Sequence, residues 1–177
     1  MAVVLKPLFS EIDINKAVQR LACQIIEDLS DEIHVVAVLK GSYLFFADLS
    51  RELVRAGASQ VYIHSVEVNS YHNHLSSGIL NLISDIDDVK NLDLLIVEDI
   101  ADSGRTLEWL KSYFLQKGAQ SVKSVCLLDK PTCREVEFKV DYTGFEVPDV
   151  FVVGYGMDYN QKYRALAEIC ILEINGD

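Results

Sequence analysis

The sequence predicts an α/β fold with a central, mainly parallel sheet flanked by helices. Three observations carry that prediction: short apolar runs without polar alternation, segments of helical spacing between them, and glycines where those helices should stop. A strand covered on both faces has no polar side and reads as a continuous apolar run. Strand, helix, strand repeated at these lengths implies parallel strands joined by helical crossovers.

Residues 13–29 carry Ala17, Val18, Leu21, Ala22, Ile25, Ile26 and Leu29 at helical spacing, with Asp13 as the expected cap. Residues 35–39, VVAVL, form the first predicted strand. Residues 42–55 include Leu44, Phe45, Phe46, Leu49 and Leu53 and then meet Gly57, a helix with its stop. Residues 61–68 are a second strand. In residues 69–88, Asn, Ser, His, Gly and Asp predominate. Links in such folds usually span about 2–6 residues, so this stretch is a mobile functional loop, a short hairpin or an ordinary surface excursion. Residues 94–97 are the next buried strand, 106–117 a helix closed by Gly118, and 122–128 another strand. Further strands are expected at 138–142, 151–155 and 169–173, between turns rich in Asp, Pro and Gly. There are no internal repeats or low-complexity segments.

Half of the 177 residues are apolar, enough for one sizeable core, so a single domain over residues 1–177 is expected. The formal charge of −11 argues against a broad nucleic-acid footprint, and whatever anion binds must be held locally. Cys23, Cys126, Cys133 and Cys170 have no paired spacing and read as reduced thiols. No signal-peptide pattern is seen, and no apolar run approaches the roughly 18 residues needed to span a bilayer. A soluble, cytoplasmic protein without membrane or nucleic-acid partners is expected.

The chemistry concentrates in residues 94–107, LLIVEDIADSGRTL. Glu98 and Asp99 follow a buried strand at its carboxyl end, where open α/β sheets bind ligands. The turn from Asp102 to Thr106 then enters a helix whose first N–H groups lack partners. Gly104 permits close backbone approach, and Ser103 and Thr106 add hydroxyls, which together make a phosphate cradle. Carboxylates beside it can accept from sugar hydroxyls or engage Mg²⁺, a cation that prefers oxygen ligands. Asp102 is placed for acid/base work. The plainer alternative is that these acids cap the next helix. Neither a Walker A pattern nor a Rossmann glycine fingerprint occurs.

Residues 95–107 resemble the phosphoribosyl-pyrophosphate motif of type I phosphoribosyltransferases, and the surrounding motifs resemble the hypoxanthine-guanine branch. The likeness runs from Val35 through Glu173 and rests on several separate matches. It implies the type I fold, with a small hood formed from the N-terminal segment and roughly residues 131–177, and with residues 69–88 as a mobile active-site loop.

Residue by residue, the resemblance implies the following. Lys40 and Gly41 belong to a pyrophosphate-binding loop with a cis peptide, expected between those two residues; Ser42 stands where a second glycine is usual. Ser70 and Tyr71 open the closing loop, which shields the reacting sugar from water. His72, Asn73 and His74 depart from the usual pattern there and are given no role. Glu98 and Asp99 face the ribose hydroxyls and Mg²⁺. Asp102 lies near N7 of the purine as the catalytic acid/base. Ser103, Gly104, Arg105 and Thr106 hold the 5′-phosphate, with Ser103 and Arg105 replacing the commoner threonine and lysine.

Lys130, in LLDKP, is expected to donate to the 6-oxo group, which disfavours the 6-amino group of adenine. By composition alone it would read as a solvated turn lysine. Phe151 is expected to stack on the base, although without the resemblance it would read as a core aromatic. The backbone of Val152 would read the polar edge of the base. Asp158 is associated with Mg²⁺ and with the purine, and Arg164 with pyrophosphate, for which its forked donors suit.

The implied reaction transfers the 5-phosphoribosyl group from 5-phospho-α-D-ribose 1-diphosphate to hypoxanthine or guanine, giving IMP or GMP and pyrophosphate in purine salvage. Mg²⁺ is the implied cofactor and a homodimer or homotetramer the implied assembly. A xanthine-preferring or broad 6-oxopurine transferase is one alternative. A pyrimidine-nucleotide-responsive RNA-binding regulator on the same fold is another, against which the charge and the purine-facing matches argue.

Overall fold

A computed structural model describes residues 2–29, 32–70 and 80–175. A six-stranded sheet has the order β4-β3-β2-β5-β6-β7. Its strands are β2 (Glu32–Leu39), β3 (Gln60–Ser70), β4 (Leu80–Ser84), β5 (Asp93–Ala101), β6 (Ser121–Asp129) and β7 (Tyr142–Glu146). All neighbours pair in parallel except β4, which runs antiparallel to β3 at the edge. Residues 69–88 thus contain the return strand of a hairpin. Tyr71, His72, Asn73 and His74 lie outside the described residues.

The unalternating runs are where they should be. Along β5, Leu95 and Val97 belong to one core cluster with α1 (Glu11–Asp28) and α2 (Tyr43–Ala56). Leu94 and Ile96 face the other way, into a cluster with α3 (Arg105–Gln116). Burial on both faces explains why the strand shows no polar period. From α3, Leu107, Leu110 and Phe114 are fully buried, each burial stabilising by about 1.5–3 kcal/mol.

A second, three-stranded antiparallel sheet has the order β1-β9-β8 and joins distant parts of the chain. Here β1 (Ala2–Phe9) pairs with β9 (Ile169–Asn175), and β9 with β8 (Val152–Val153). The expected strand 151–155 shortens to these two residues because the chain turns sharply at Gly154 and Gly156, both at a φ of 102°.

Three expectations are corrected. The first helix is capped by Ser10, not Asp13; Ser10 Oγ accepts from Asp13 N at 3.3 Å and Asp13 Oδ2 accepts from Ser10 N at 3.1 Å, a reciprocal capping box. The strand expected at 138–142 is Tyr142–Glu146 instead, because Asp141 is spent on Ser124, accepting from its N and Oγ at 2.8 Å. The cis peptide joins Leu39 to Lys40, one bond earlier than expected.

Candidate active site

The central strand β5 does not stop before its carboxylates but carries Glu98 and Asp99 within its last turns of pleat. Two cavities open there. One, of about 80 Å³, is lined by Glu98, Asp102, Ser103, Gly104 and Thr106 among others. The second, of about 320 Å³, is lined by Gly41, Asp99, Asp102, Lys130, Phe151, Val152, Asp158 and Arg164 among others. Ile100 and Asp102 border both, so Asp102 stands at the wall between them.

Glu98 is partly buried, with its Oε2 shut off from solvent and without a hydrogen-bond partner. Burial, reinforced by the neighbouring Asp99 charge, pushes its carboxyl well above the usual range. Burial also raises Asp99, against the pull of N–H donors from Asp99 and Ile100 and of the Arg164 charge. An orphaned carboxylate oxygen beside a second buried carboxylate suits a hard cation or sugar hydroxyls, and Mg²⁺ fits this donor set. Among the described residues, Glu98, Asp99 and Asp158 do not gather into one three-ligand group. Asp158 instead pairs with Arg164 Nη2 at 2.5 Å and accepts from Gln161 N at 2.8 Å.

The small cavity is the expected phosphate cradle. Gly104, at a φ of 81°, caps α3, whose first-turn amides lack helical partners; Arg105 N donates to Ser103 Oγ at 3.4 Å. Arg105 is not among the lining residues; its guanidinium pairs with Glu135 at 2.6 Å.

At the large cavity, backbone segments meet without side chains between them. A Cβ on Gly41 would lie 2.0 Å from Asp99 Oδ2, and a Cβ on Gly156 would lie 2.0 Å from the Gly41 carbonyl oxygen. Only glycine lets the β2 loop, the β5 carboxylate and the 154–158 turn stack this closely. Ser42, the departure from a second glycine, is buried and its Oγ donates to Val38 O at 2.6 Å, so its hydroxyl is satisfied internally. Lys40 reaches outward to Glu67 at 3.7 Å.

The Lys130 side chain is only 7% exposed, with its Nζ between Asp149 at 3.6 Å and Asp102 at 3.8 Å. It is therefore not a solvated turn lysine. Phe151 is 52% exposed and meets Tyr159 edge-on, so it is not a core aromatic either. Val152 is held by β8 pairing, and Arg164 Nη1 donates to Gly156 O at 2.6 Å. Ser70 ends β3, while Tyr71 is outside the described residues.

Sequence reasoning missed Asp149, Arg134 and Gly156. Gly156 left a signal in the doubled glycine of 154–156; Arg134 and Asp149 left none, because their partners are distant in the chain or ordinary in type.

Comparisons with known proteins identify the family. The profile of the phosphoribosyl transferase domain matches residues 9–160. A hypoxanthine-guanine phosphoribosyltransferase of Bacillus subtilis is 42% identical over 171 residues, 95% of this chain and 93% of that protein. A hypoxanthine-guanine phosphoribosyltransferase structure from Bacillus anthracis superposes with a TM-score of 0.87 at 38% identity, covering 98% of this chain and 100% of that one. The Trypanosoma cruzi hypoxanthine phosphoribosyltransferase, in complex with its product IMP, gives 0.88 at 35% identity, covering 95% and 94%.

Proposed function

The chain belongs to the hypoxanthine-guanine phosphoribosyltransferases, and from that premise we propose how its residues divide the work. The reaction transfers a 5-phosphoribosyl group from phosphoribosyl pyrophosphate to hypoxanthine or guanine in purine salvage. The bond from ribose C1 to the diphosphate oxygen breaks, its electron pair leaving with pyrophosphate, and a bond from purine N9 to C1 forms. The proton displaced from the purine is taken near N7 by Asp102.

The observation that carries this reading is the pair of cavities meeting at Asp102. The smaller suits the 5′-phosphate, held by the turn from Ser103 to Thr106. Because the Arg105 guanidinium is engaged by Glu135, its share is its backbone amide. The larger suits the base and the pyrophosphate. Phe151 offers an exposed ring for stacking, Val152 its backbone, and Lys130 an ammonium to the 6-oxo group. Gly41 and Arg164 face the pyrophosphate, with Lys40 carried on the same loop. Asp158 holds Arg164 and borders the base. Glu98 and Asp99 would hold the ribose hydroxyls and Mg²⁺, and Asp158 would add its charge on the pyrophosphate side of the site. When bound, Mg²⁺ neutralises charge building on the departing pyrophosphate. Most of the rate enhancement then comes from positioning and from a site closed to water, with the 69–88 segment, opened by Ser70 and Tyr71, as the cover.

A single domain accounts for both sheets, with β1, β8 and β9 as the hood over the purine. A homodimer is supported by a cavity of about 700 Å³ on the α2, β2 and β3 surface, where Tyr43, Val54 and Ile63 lie exposed. That face continues from the Lys40–Gly41 loop directly into α2, and a second copy of the same apolar face would cover it. Four cysteines without a disulfide support a reducing, cytoplasmic setting.

Pyrophosphate release from phosphoribosyl pyrophosphate and Mg²⁺, run with hypoxanthine, guanine, xanthine, adenine or uracil, tests the reading. Turnover with the first two and little with adenine or uracil is expected, and xanthine reads the breadth of the site. Release independent of the base overturns it.

A further inference from the structure

Arg134 is one of the most heavily engaged side chains among the described residues, and it lines neither of the two cavities of the site. Its guanidinium is 14% exposed. Nη1 donates to Ala101 O at 2.8 Å, to Asp102 O and to Lys130 O at 3.5 Å; Nη2 pairs with Asp129 Oδ1; Nε donates to Phe138 O at 3.3 Å. The carbonyls it gathers belong to two chain segments, the end of β5 and the loop after β6, just where the pairing of those two strands ends at Ala101 and Asp129. Those segments carry the two charged groups on either side of the proton-handling position, Asp102 and Lys130.

We propose that Arg134 is a positioning residue for the transfer: by binding the carbonyls of residues 101, 102 and 130 together, it sets the spacing of the Asp102 carboxylate and the Lys130 ammonium. The proposal rests on the roles given above to Asp102 and Lys130. Three carbonyl oxygens converging in a buried space repel one another, and a buried cation with a planar fork of donors holds them at fixed directions. Asp129 keeps that cation paired, and Thr143 Oγ1 donates to its second oxygen at 3.5 Å. Lys130 N also donates to Ala101 O at 2.9 Å, so the two loops are tied from both sides. The phosphate turn has a separate tie, Glu135 N donating to Ser103 O at 3.0 Å. Loss of Arg134 should therefore disturb proton handling and base recognition more than phosphate binding.

Lysine keeps the charge but presents its donors from one point, so it cannot serve the carbonyls gathered at Nη1 together with Asp129 at Nη2 and Phe138 O at Nε. In R134K, kcat with hypoxanthine should fall about 30- to 100-fold, the scale of a misplacement near 1 Å. The KM for phosphoribosyl pyrophosphate should stay within about threefold, and the preference for hypoxanthine over adenine should narrow. In R134G, millimolar guanidinium should restore kcat at least tenfold, while ammonium at the same concentration should not. D129N, which removes the ion partner, should give a milder version of the same split if R134K does not fold. A lowered melting temperature with unchanged kcat and KM in the folded enzyme would make the residue merely structural and overturn the proposal. D102N and K130Q assayed alongside separate the two levels. If both keep wild-type kcat, the underlying assignment has failed; if both lose activity while R134K does not, only the present inference has.

Discussion

Replacing Gly156 by alanine should cost the enzyme both stability and catalysis, and the structure gives the size of each. An added Cβ would sit 2.0 Å from the Gly41 carbonyl oxygen, where ordinary contact lies at 3.4–4 Å, so the two backbones must part by at least about 1.4 Å. The φ of 102° adds strain for any L side chain. Overpacking costs about 1–3 kcal/mol and the backbone about 1–2 kcal/mol more. At about 2–4 °C per kcal/mol for a chain of this size, the melting temperature should drop by about 4–20 °C. Gly41 lies against Asp99, so the displacement passes into the pyrophosphate loop, and kcat/KM for phosphoribosyl pyrophosphate should fall about 100-fold. Gly57→Ala is the matched control. It too has positive φ, 119°, but nothing lies within 4 Å of the new atom, so stability should fall and kinetics should not. Differential scanning calorimetry and initial-rate assays on both variants decide the matter. If G156A retains kcat/KM within threefold of G57A, the close stacking of the two loops has no catalytic consequence and the reasoning is wrong.

Three further outcomes follow from particular groups. Glu98→Gln should abolish most activity yet raise the melting temperature of the ligand-free protein at pH 7.5, since burial penalises the charged carboxylate. Because the folded carboxyl titrates above its unfolded value of 4.5, the advantage should shrink as pH is lowered toward that value; an advantage independent of pH would refute the assignment. His34 Nδ1 and His64 Nε2 lie 3.1 Å apart beside Tyr62, and burial with, for His64, the His34 charge lowers both. Despite the opposing charges of Glu32 and Asp93, thermal stability should decline as pH falls through about 6.5 and below, because the unfolded histidines bind protons first; H64Q should flatten that decline in melting curves. Val54→Asp, placed on the exposed apolar face, should halve the mass seen by light scattering, and an unchanged mass would move the interface elsewhere.

Much of this architecture was legible because burial writes itself into composition. The runs at 35–39 and 94–97 lack polar positions since each strand is covered twice, and the carboxylates after Val97 stand out against them. What escaped notice depended on distant partners. The strand Ala2–Phe9 contains Lys6 and Pro7 and pairs only with residues near the other end of the chain, so no local period marks it. Gly144 reads as a turn but lies inside β7, displacing the strand by four residues from where its apolar neighbours suggested. Asp13 looked like a cap because it is a good one by type; Ser10 takes the position and Asp13 answers it from the third residue of the helix. Arg134 could not be found from sequence, because its meaning resides in carbonyl oxygens, which every residue has.

The sheet β1-β9-β8 has a consequence for biosynthesis. Residues 2–9 are made before every other element among the described residues, yet their neighbour in the finished sheet, residues 169–175, is made after all of them. Val152 is fixed on one side by that late strand alone. The phosphate turn and its central strand, paired on its two sides by β2 and β6, are made before residue 130, but the wall that meets the base must wait. A polypeptide lacking residues 169–175 would thus keep the phosphate turn and its strand without a supported Val152, and recognition of the base becomes a property acquired later in synthesis than the phosphate cradle.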